Sequence, residues 1–127
     1  MRLAIFLFML LLQAIVHHPI NLNQTLIGYD GKEIHLTSDK DSPVATLKDI
    51  CVVALETVTQ EHDGPSLSAL EKFKRDRLAR RIYEASTIEL TAEEISLVKE
   101  RIGKVYGPYV VGAAWPLLDP AVLEDKK

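Results

Sequence analysis

The sequence predicts a mainly α-helical (α+β) domain in which a small N-terminal β-hairpin precedes a compact bundle of about four helices. Three observations lead to this class: an Asp-Gly pair between two short apolar runs, Ser or Thr three positions before an acidic residue at each of three helix starts, and apolar residues that then recur with helical spacing. With 127 residues, 47% hydrophobic and 26% charged, the chain suits one domain with a modest core.

The hairpin is predicted within "TLIGYDGKEIHL". Its turn is placed at Asp30 and Gly31, and a type I′ turn would need positive φ at both residues. A polar linker, residues 37–43, follows and ends at a proline that cannot continue a strand ladder. Acidic residues in and around this linker lack the glycine and the distal glutamate of an EF-hand loop, so we interpret the linker as a solvated loop without a metal.

The first helix is predicted to begin at Thr46, where Thr46 and Asp49 have the spacing of a capping box. An apolar stripe follows along one side of the helix. Cys51 lies within this stripe, next to apolar neighbours, and is therefore predicted to be a buried thiol rather than a reactive one.

The second helix is predicted to open at Ser68, with Ser68 and Glu71 forming a capping box. Its apolar residues form two stripes rotated from each other, so the buried face is predicted to shift along the helix, with a bend or a change of packing partner near residues 74–76. The first stripe is Leu67, Leu70 and Phe73, and the second is Leu78, Ile82 and Tyr83. The same helix holds the one basic concentration of the chain: Lys72, Lys74, Arg75, Arg77, Arg80 and Arg81. These six residues are the candidate partner-binding surface, and a solvated helix face is the alternative.

The third helix is predicted to begin at Thr91, with Glu94 closing a third capping box. Gly107 and Pro108 then separate it from a last helix, "PYVVGAAWPLL", which is apolar nearly all round and is therefore predicted to be central. Pro116 predicts that this helix kinks or stops. The core residues predicted from these two helices are Ile95, Val98, Ile102, Tyr106, Trp115 and Leu118.

The N-terminal segment, residues 1–20, differs from the single globular domain predicted for residues 21–120 and from the charged tail of residues 121–127. It contains one arginine and then an apolar run, residues 3–16, that resembles the hydrophobic region of a signal peptide but lacks a small-residue cleavage site. A run of this length covers roughly 21 Å at a rise of about 1.5 Å per residue, which is short for a membrane span. A signal or anchor, a dispensable extension and a buried helix all remain open.

Composition and motifs favour no catalytic class. The net charge of −3 and the pI near 5.8 give no global electrostatic reason to expect a nucleic-acid partner, and the single cysteine excludes an internal disulfide. The sequence has no phosphate-binding loop, no dinucleotide fingerprint, no H-E-x-x-H, no C-x-x-C and no nucleophile elbow. We therefore expect no enzyme activity, no catalytic or metal-binding residues and no cofactor.

The run "LEKFKRDRLARRIYEASTIELTAEEISLVKERIGKVYGPYVVGAAWPLLDP", together with "IGYDGKEI" and "TLKDICVVAL", resembles a family of small proteins encoded by tailed bacteriophages and prophages. The resemblance covers about residues 22–120 and leaves out the apolar N-terminus, because such proteins would begin near residues 21–23. Pro116 departs from the family pattern, which has a helix-permissive residue there. The resemblance implies no enzymatic residues and a location in the bacterial cytoplasm.

The leading hypothesis is a non-enzymatic phage or prophage interaction module, accessory or assembly-related, that binds an acidic protein partner through the basic helix. The first alternative is a membrane-anchored or exported helical domain, with residues 3–16 as the membrane segment. A further alternative is a nucleic-acid-binding accessory protein that uses the basic helix, residues 72–81. The residues leave the partner, the stage of action and the oligomeric state open.

Overall fold

The computed structural model describes residues 18–59 and 67–124. These residues form four helices, α1 (Leu47–Glu56), α2 (Ala69–Glu84), α3 (Ala92–Val105) and α4 (Pro108–Leu118), followed by a 3-10 turn, Pro120–Leu123. Two short strands, β1 (Ile20–Asn21) and β2 (Thr87–Ile88), pair antiparallel. The predicted class, a small mainly helical α+β domain, is confirmed.

The central helix is α1, which packs against α2, α3 and α4. It begins with the predicted capping box: the Thr46 Oγ1 accepts from the Asp49 N–H, and the Asp49 carboxylate accepts from the Thr46 N–H. Its stripe of Leu47, Ile50, Cys51, Ala54 and Leu55 is buried. The prediction that the last helix is central is wrong, because α4 buries fully only Ala114 and Leu118.

The apolar surface of α4 is only half covered. Gly112 is exposed, and nothing lies within 4 Å of the place where its Cβ would be, so it does not serve a close helix approach. Pro116 lies inside α4, which continues to Leu118, where the Asp119 N–H donates to the Trp115 carbonyl at 2.9 Å. Of the kink or stop predicted at Pro116, the stop is therefore wrong. One missing N–H in the last turn does not end the helix, because the residues after it still form their bonds.

Ahead of α1, three short segments meet through their backbones. The Leu26 N–H donates to the Ala45 carbonyl at 3.1 Å, the Ala45 N–H to the Ile34 carbonyl at 2.7 Å and the Ile34 N–H to the Leu26 carbonyl at 2.9 Å. All three side chains are buried. This closed set of bonds fixes the N-terminal segments against the start of α1.

The hairpin turn lies at the predicted place but has another geometry. Gly31 has a φ of 77°, whereas no other described residue has positive φ, so the type I′ turn predicted for Asp30 and Gly31 is wrong. The Gly28 N–H donates to the Lys32 carbonyl at 2.9 Å, which leaves a three-residue loop that ends in Gly31. A loop of this length needs the left-handed conformation only at its last residue, and glycine adopts it without strain.

The hairpin is held to α4 by Tyr109. The Tyr109 O–H donates to Asp30 Oδ1 at 2.8 Å, and the ring lies so close to Gly28 that a Cβ there would overlap it. At the other end of this segment, Ile20 pairs with Ile88, and the Leu22 N–H donates to the Ser86 carbonyl. The N-terminal part of the domain is thereby fixed both to α4 and to the connection between α2 and α3.

Buried arginine is a feature that the sequence did not predict. Arg101 of α3 is fully buried, and its Nε and Nη2 donate to the carbonyls of Ala54 and Thr57 at 3.3 and 2.6 Å. These carbonyls lie at the C-terminal end of α1, where backbone acceptors lack helical partners and the helix dipole favours a cation. Arg101 therefore completes the end of the central helix.

The six predicted core residues fall into two groups. Val98, Ile102 and Leu118 are fully buried. The others, Ile95, Tyr106 and Trp115, are half-buried and pack against the same core. No helix within the described ranges is both long and apolar enough to cross a bilayer. The apolar run of residues 3–16 and the end of the tail, residues 125–127, lie outside the described residues.

Candidate functional site

The six basic residues predicted as one partner-binding surface do not form one surface. Arg75 is buried, with only 8% of its surface exposed. Lys74, Arg77 and Arg81 line the side of α2 that faces α3. Lys72 and Arg80 line two other depressions, against α1 and the chain that follows it. A helix of 3.6 residues per turn separates these positions, so a basic run in sequence is divided among three directions.

The side of α2 that faces α3 forms one wall of an open groove of about 500 Å³. The groove is lined from α2 by Phe73, Lys74, Arg77, Leu78 and Arg81, and from α3 by Glu93, Glu94 and Leu97. It stays open because α2 and α3 each pack mainly on α1 rather than on each other. A depression with an apolar floor and charged edges results, and this is our candidate site.

The floor of the groove passes from buried to exposed apolar side chains. Leu78 is buried and Leu97 is half-buried, whereas Phe73 is 55% exposed. Leu70, one turn before Phe73, is 60% exposed. The stripe that begins α2 was predicted to be buried and instead faces solvent, and α2 passes residues 74–76 without a break. The shift between the two stripes is a change from solvent to core along one continuous helix.

One end of the groove is closed by an ion pair between Arg81 and Glu94. Glu94 also accepts from the Thr91 N–H at 3.0 Å in the predicted capping box. Burial alone would raise the pKa of Glu94, but the hydrogen bonds from Thr91 and Arg81 outweigh it and hold the pKa below its ordinary value. Glu94 is therefore ionised, and its charge is balanced by Arg81.

The other end of the groove is basic. The Arg77 guanidinium lies over the Phe73 ring, 4.8 Å from its centroid. No carboxylate among the described residues lies within ion-pair distance of Arg77. Among the residues that the structure describes, the ion-pair partner of Lys74 is Glu71, at a long 3.9 Å between two exposed groups, which contributes little. The positive charge of Lys74 and Arg77 is thus presented to the groove.

On the adjacent side of α2, which faces α1, Arg80 is already bound. Its Nε donates to Asp76 Oδ2 at 2.6 Å, and this hydrogen bond, followed by one with Glu56, lowers the pKa of Asp76. Burial and the hydrogen bond to Asp76 raise the pKa of Glu56. Glu56, Asp76 and Arg80 form a local charge network that ties α2 to α1, so Arg80 is less suited to a partner than Arg77.

Residues with catalytic side chains are scattered. Burial raises the pKa of Cys51 to about 12, which leaves the thiol protonated at neutral pH, in agreement with the buried thiol predicted. The Nδ1 of His35 lies 2.7 Å from the Ser42 carbonyl. In the part of the chain that the structure describes, no three His, Cys, Asp or Glu residues are grouped as a metal would require. His17 and His62 lie outside it.

Comparison with protein-family models, with curated proteins and with solved structures found no match to this chain. The class of protein is defined by its own fold and groove: a small α+β helical domain with an open, apolar and partly basic groove between two helices. The resemblance to small phage proteins stays a prediction.

Sequence reasoning selected the basic wall of this groove but missed its floor and its second wall. Leu97 was outside the predicted stripe of α3, and Phe73 was assigned to a buried stripe. One local signal was available: Phe73 stands between lysines in "EKFKRDR", with Arg77 four residues later, a spacing that places the two side chains together on a helix. That spacing is typical of an exposed aromatic ring covered by a cation.

Proposed function

We propose that this chain is a small, non-enzymatic interaction module that binds another protein through the groove between α2 and α3. The observation that carries the proposal is the groove itself: an apolar floor left open between two helices, with the exposed ring of Phe73 and the cations Lys74 and Arg77 at its rim. Side chains of this kind, exposed together, are typical of interaction surfaces.

The biological setting that we propose rests on the sequence resemblance alone. A phage or prophage accessory or assembly protein, acting in the cytoplasm of the bacterial host, would use such a module to bind either another phage protein or a host protein. The division of the basic residues among three directions favours a protein partner over nucleic acid. A phosphate backbone is best bound by a row of unpaired cations along one face, whereas Arg81 of the groove is paired with Glu94, and Lys72 and Arg80 line other depressions.

The test is affinity capture from lysate of prophage-induced bacteria, with the full chain as bait and mass spectrometry as readout. The informative variants are Arg77→Glu in the groove and Lys72→Glu, the same charge change on another side of the same helix. We expect a specific partner that is retained by wild type and by Lys72→Glu and lost with Arg77→Glu. Capture of no specific protein by wild type, from induced or uninduced cells, would contradict the proposal.

The alternative of an anchored or exported domain rests on the apolar run of residues 3–16. It requires membrane association that resists carbonate extraction and disappears when residues 1–16 are deleted. If the full chain stays in the supernatant after carbonate treatment, this alternative is wrong.

A further inference from the structure

We infer that the groove binds an acidic peptide segment of the partner protein, with an apolar anchor between Phe73, Leu78 and Leu97 and carboxylates against Lys74 and Arg77. The inference rests on the proposed function and deepens it, because it specifies the chemistry of the segment and its direction in the groove.

The apolar part of the groove requires an apolar side chain of the partner segment as an anchor. Leu78 and Leu97 form a floor that the two helices do not close over, and Phe73 and Leu70 extend it along α2 toward solvent. Water on this floor can be displaced by an aliphatic or aromatic side chain, which gains the free energy of apolar burial. A purely charged ligand would leave the apolar floor exposed to water and would not gain the free energy of apolar burial there.

The charges of the groove determine the charge of the bound peptide segment and the direction in which it lies. Lys74 and Arg77 are at the same end, and Arg77 is held over the Phe73 ring with no carboxylate of the described residues paired to it. The Arg81–Glu94 pair is neutral as a unit, and Glu93, next to Glu94 on α3, adds a negative charge to the groove lining. Carboxylates of the segment therefore lie at the Lys74 and Arg77 end, where a bidentate pair with the Arg77 guanidinium can form.

The same charges disfavour a nucleic acid in this groove. A strand of nucleic acid carries evenly spaced phosphates, and those past Arg77 would meet Glu93 and a neutral ion pair rather than further cations. The groove also offers one exposed aromatic ring, Phe73, rather than the row of rings on which successive bases stack.

The experiment uses the full chain and two fluorescein-labelled synthetic peptides of equal length. The first carries glutamates around one leucine and one phenylalanine four residues apart, a spacing that places both on one face of a helix. The second replaces these two apolar residues with alanine and keeps every glutamate. Binding is measured by fluorescence anisotropy, and amide chemical shifts of the isotope-labelled protein locate the peptide.

We expect the first peptide to bind, to shift the amides of α2 and α3 around the groove and to bind at least tenfold more weakly to Arg77→Glu and to Phe73→Ala. Affinity for Lys72→Glu should stay within about twofold of wild type, because Lys72 lies on another side of α2. Glu93→Gln should strengthen binding slightly, since it removes the repulsive charge at the far end.

Several outcomes would overturn the inference. Equal affinity for the alanine peptide would mean that the floor is not used, and equal losses from Lys72→Glu and Arg77→Glu would mean that only net charge matters. Absence of shifts around the groove with millimolar peptide would mean that the site does not accept such a segment. Displacement of the bound peptide by an oligothymidylate, with steep salt dependence, would assign the groove to nucleic acid instead.

Failure here is distinguishable from failure of the proposed function. A natural partner that is captured by wild type and lost with Arg77→Glu, while the acidic peptide does not bind, would leave the groove standing as the binding site and remove the acidic segment. Peptide binding without any partner captured from cells would leave the groove standing and remove the proposed setting.

Discussion

Two arginines on neighbouring helices show how differently the two sides of this small domain are built. Arg101 is fully buried and donates to carbonyls that end α1, whereas Arg77 lies at the rim of the open groove over an exposed ring. Around Arg101, polar atoms are satisfied and apolar side chains enclosed. Around Arg77, apolar surface is exposed and charge is presented to solvent.

This difference shows that the other helices pack around α1 and that the groove is the surface that this packing leaves uncovered. α1 is held by a capping box at its start, a buried stripe along its length and Arg101 at its end. The flanking helices α2 and α3 each pack mainly against α1, and they do not close on each other. Changes near α1 should therefore affect stability, and changes in the groove should affect binding.

The largest effect is expected from removing Arg101. Arg101→Met would leave buried carbonyls without donors and should lower the free energy of unfolding by about 3 kcal/mol. Arg77→Met, the same change in the groove, should alter it by less than about 0.5 kcal/mol. Urea unfolding followed by circular dichroism measures both. Similar losses from the two variants would mean that the two sides of the domain do not differ in this way.

The next effect is a pH dependence of the free energy of unfolding, which arises from Cys51 in the buried stripe of α1. Burial raises the pKa of Cys51 from 9.0 to about 12, so the stability that the protonated thiol contributes is complete below pH 9.0 and is lost as the pH rises toward 12. The decline should be about 1.4 kcal/mol per pH unit in this window. Urea unfolding of wild type and Cys51→Ala at increasing pH isolates it, because the variant should lack this part of the decline. Parallel curves would show that Cys51 is not shielded as described.

A smaller difference is expected between the caps of α1 and α2. Thr46 caps α1 within a complete and half-buried box. The capping box predicted at Ser68 and Glu71 is incomplete among the described residues, because Ser68 accepts the Glu71 N–H at 3.1 Å, on an exposed surface, without a reciprocal bond to Glu71. Thr46→Ala should lower the free energy of unfolding by about 1.5 kcal/mol, and Ser68→Ala by about 0.5 kcal/mol. Thermal and urea unfolding of both variants test the order. If Ser68→Ala costs more than Thr46→Ala, α1 is not the better anchored helix.

Much of the fold follows from local sequence signals. The capping boxes at Thr46 and Thr91, the serine cap at Ser68 and the Gly107-Pro108 break all mark helix boundaries that the structure has. Local chemistry of this kind is readable because it depends on residues three or four positions apart. The same signals do not tell which helix is central, since that depends on which apolar faces meet after folding, and α4 was chosen wrongly for that reason.

The candidate site could be predicted only in part. The basic residues of α2 were visible as a run, but their division among the groove, the side that faces α1 and the interior depends on the angle at which α2 meets α1. Arg75 and Arg101 could not be recognised as buried, because the groups around them come from other helices. The groove floor was missed because Leu97 and Phe73 come together only across two helices.

The most direct test concerns two apolar residues of α2. Urea unfolding of Leu78→Ala should show a loss of about 3 kcal/mol, because Leu78 is buried. Phe73→Ala should stay within about 0.5 kcal/mol of wild type, because the ring lies on the open rim of the groove. A difference of this size between the two variants is the result that an open binding groove predicts. Equal losses of several kcal/mol would contradict it, since Phe73 would then belong to the core and the groove would be closed in solution.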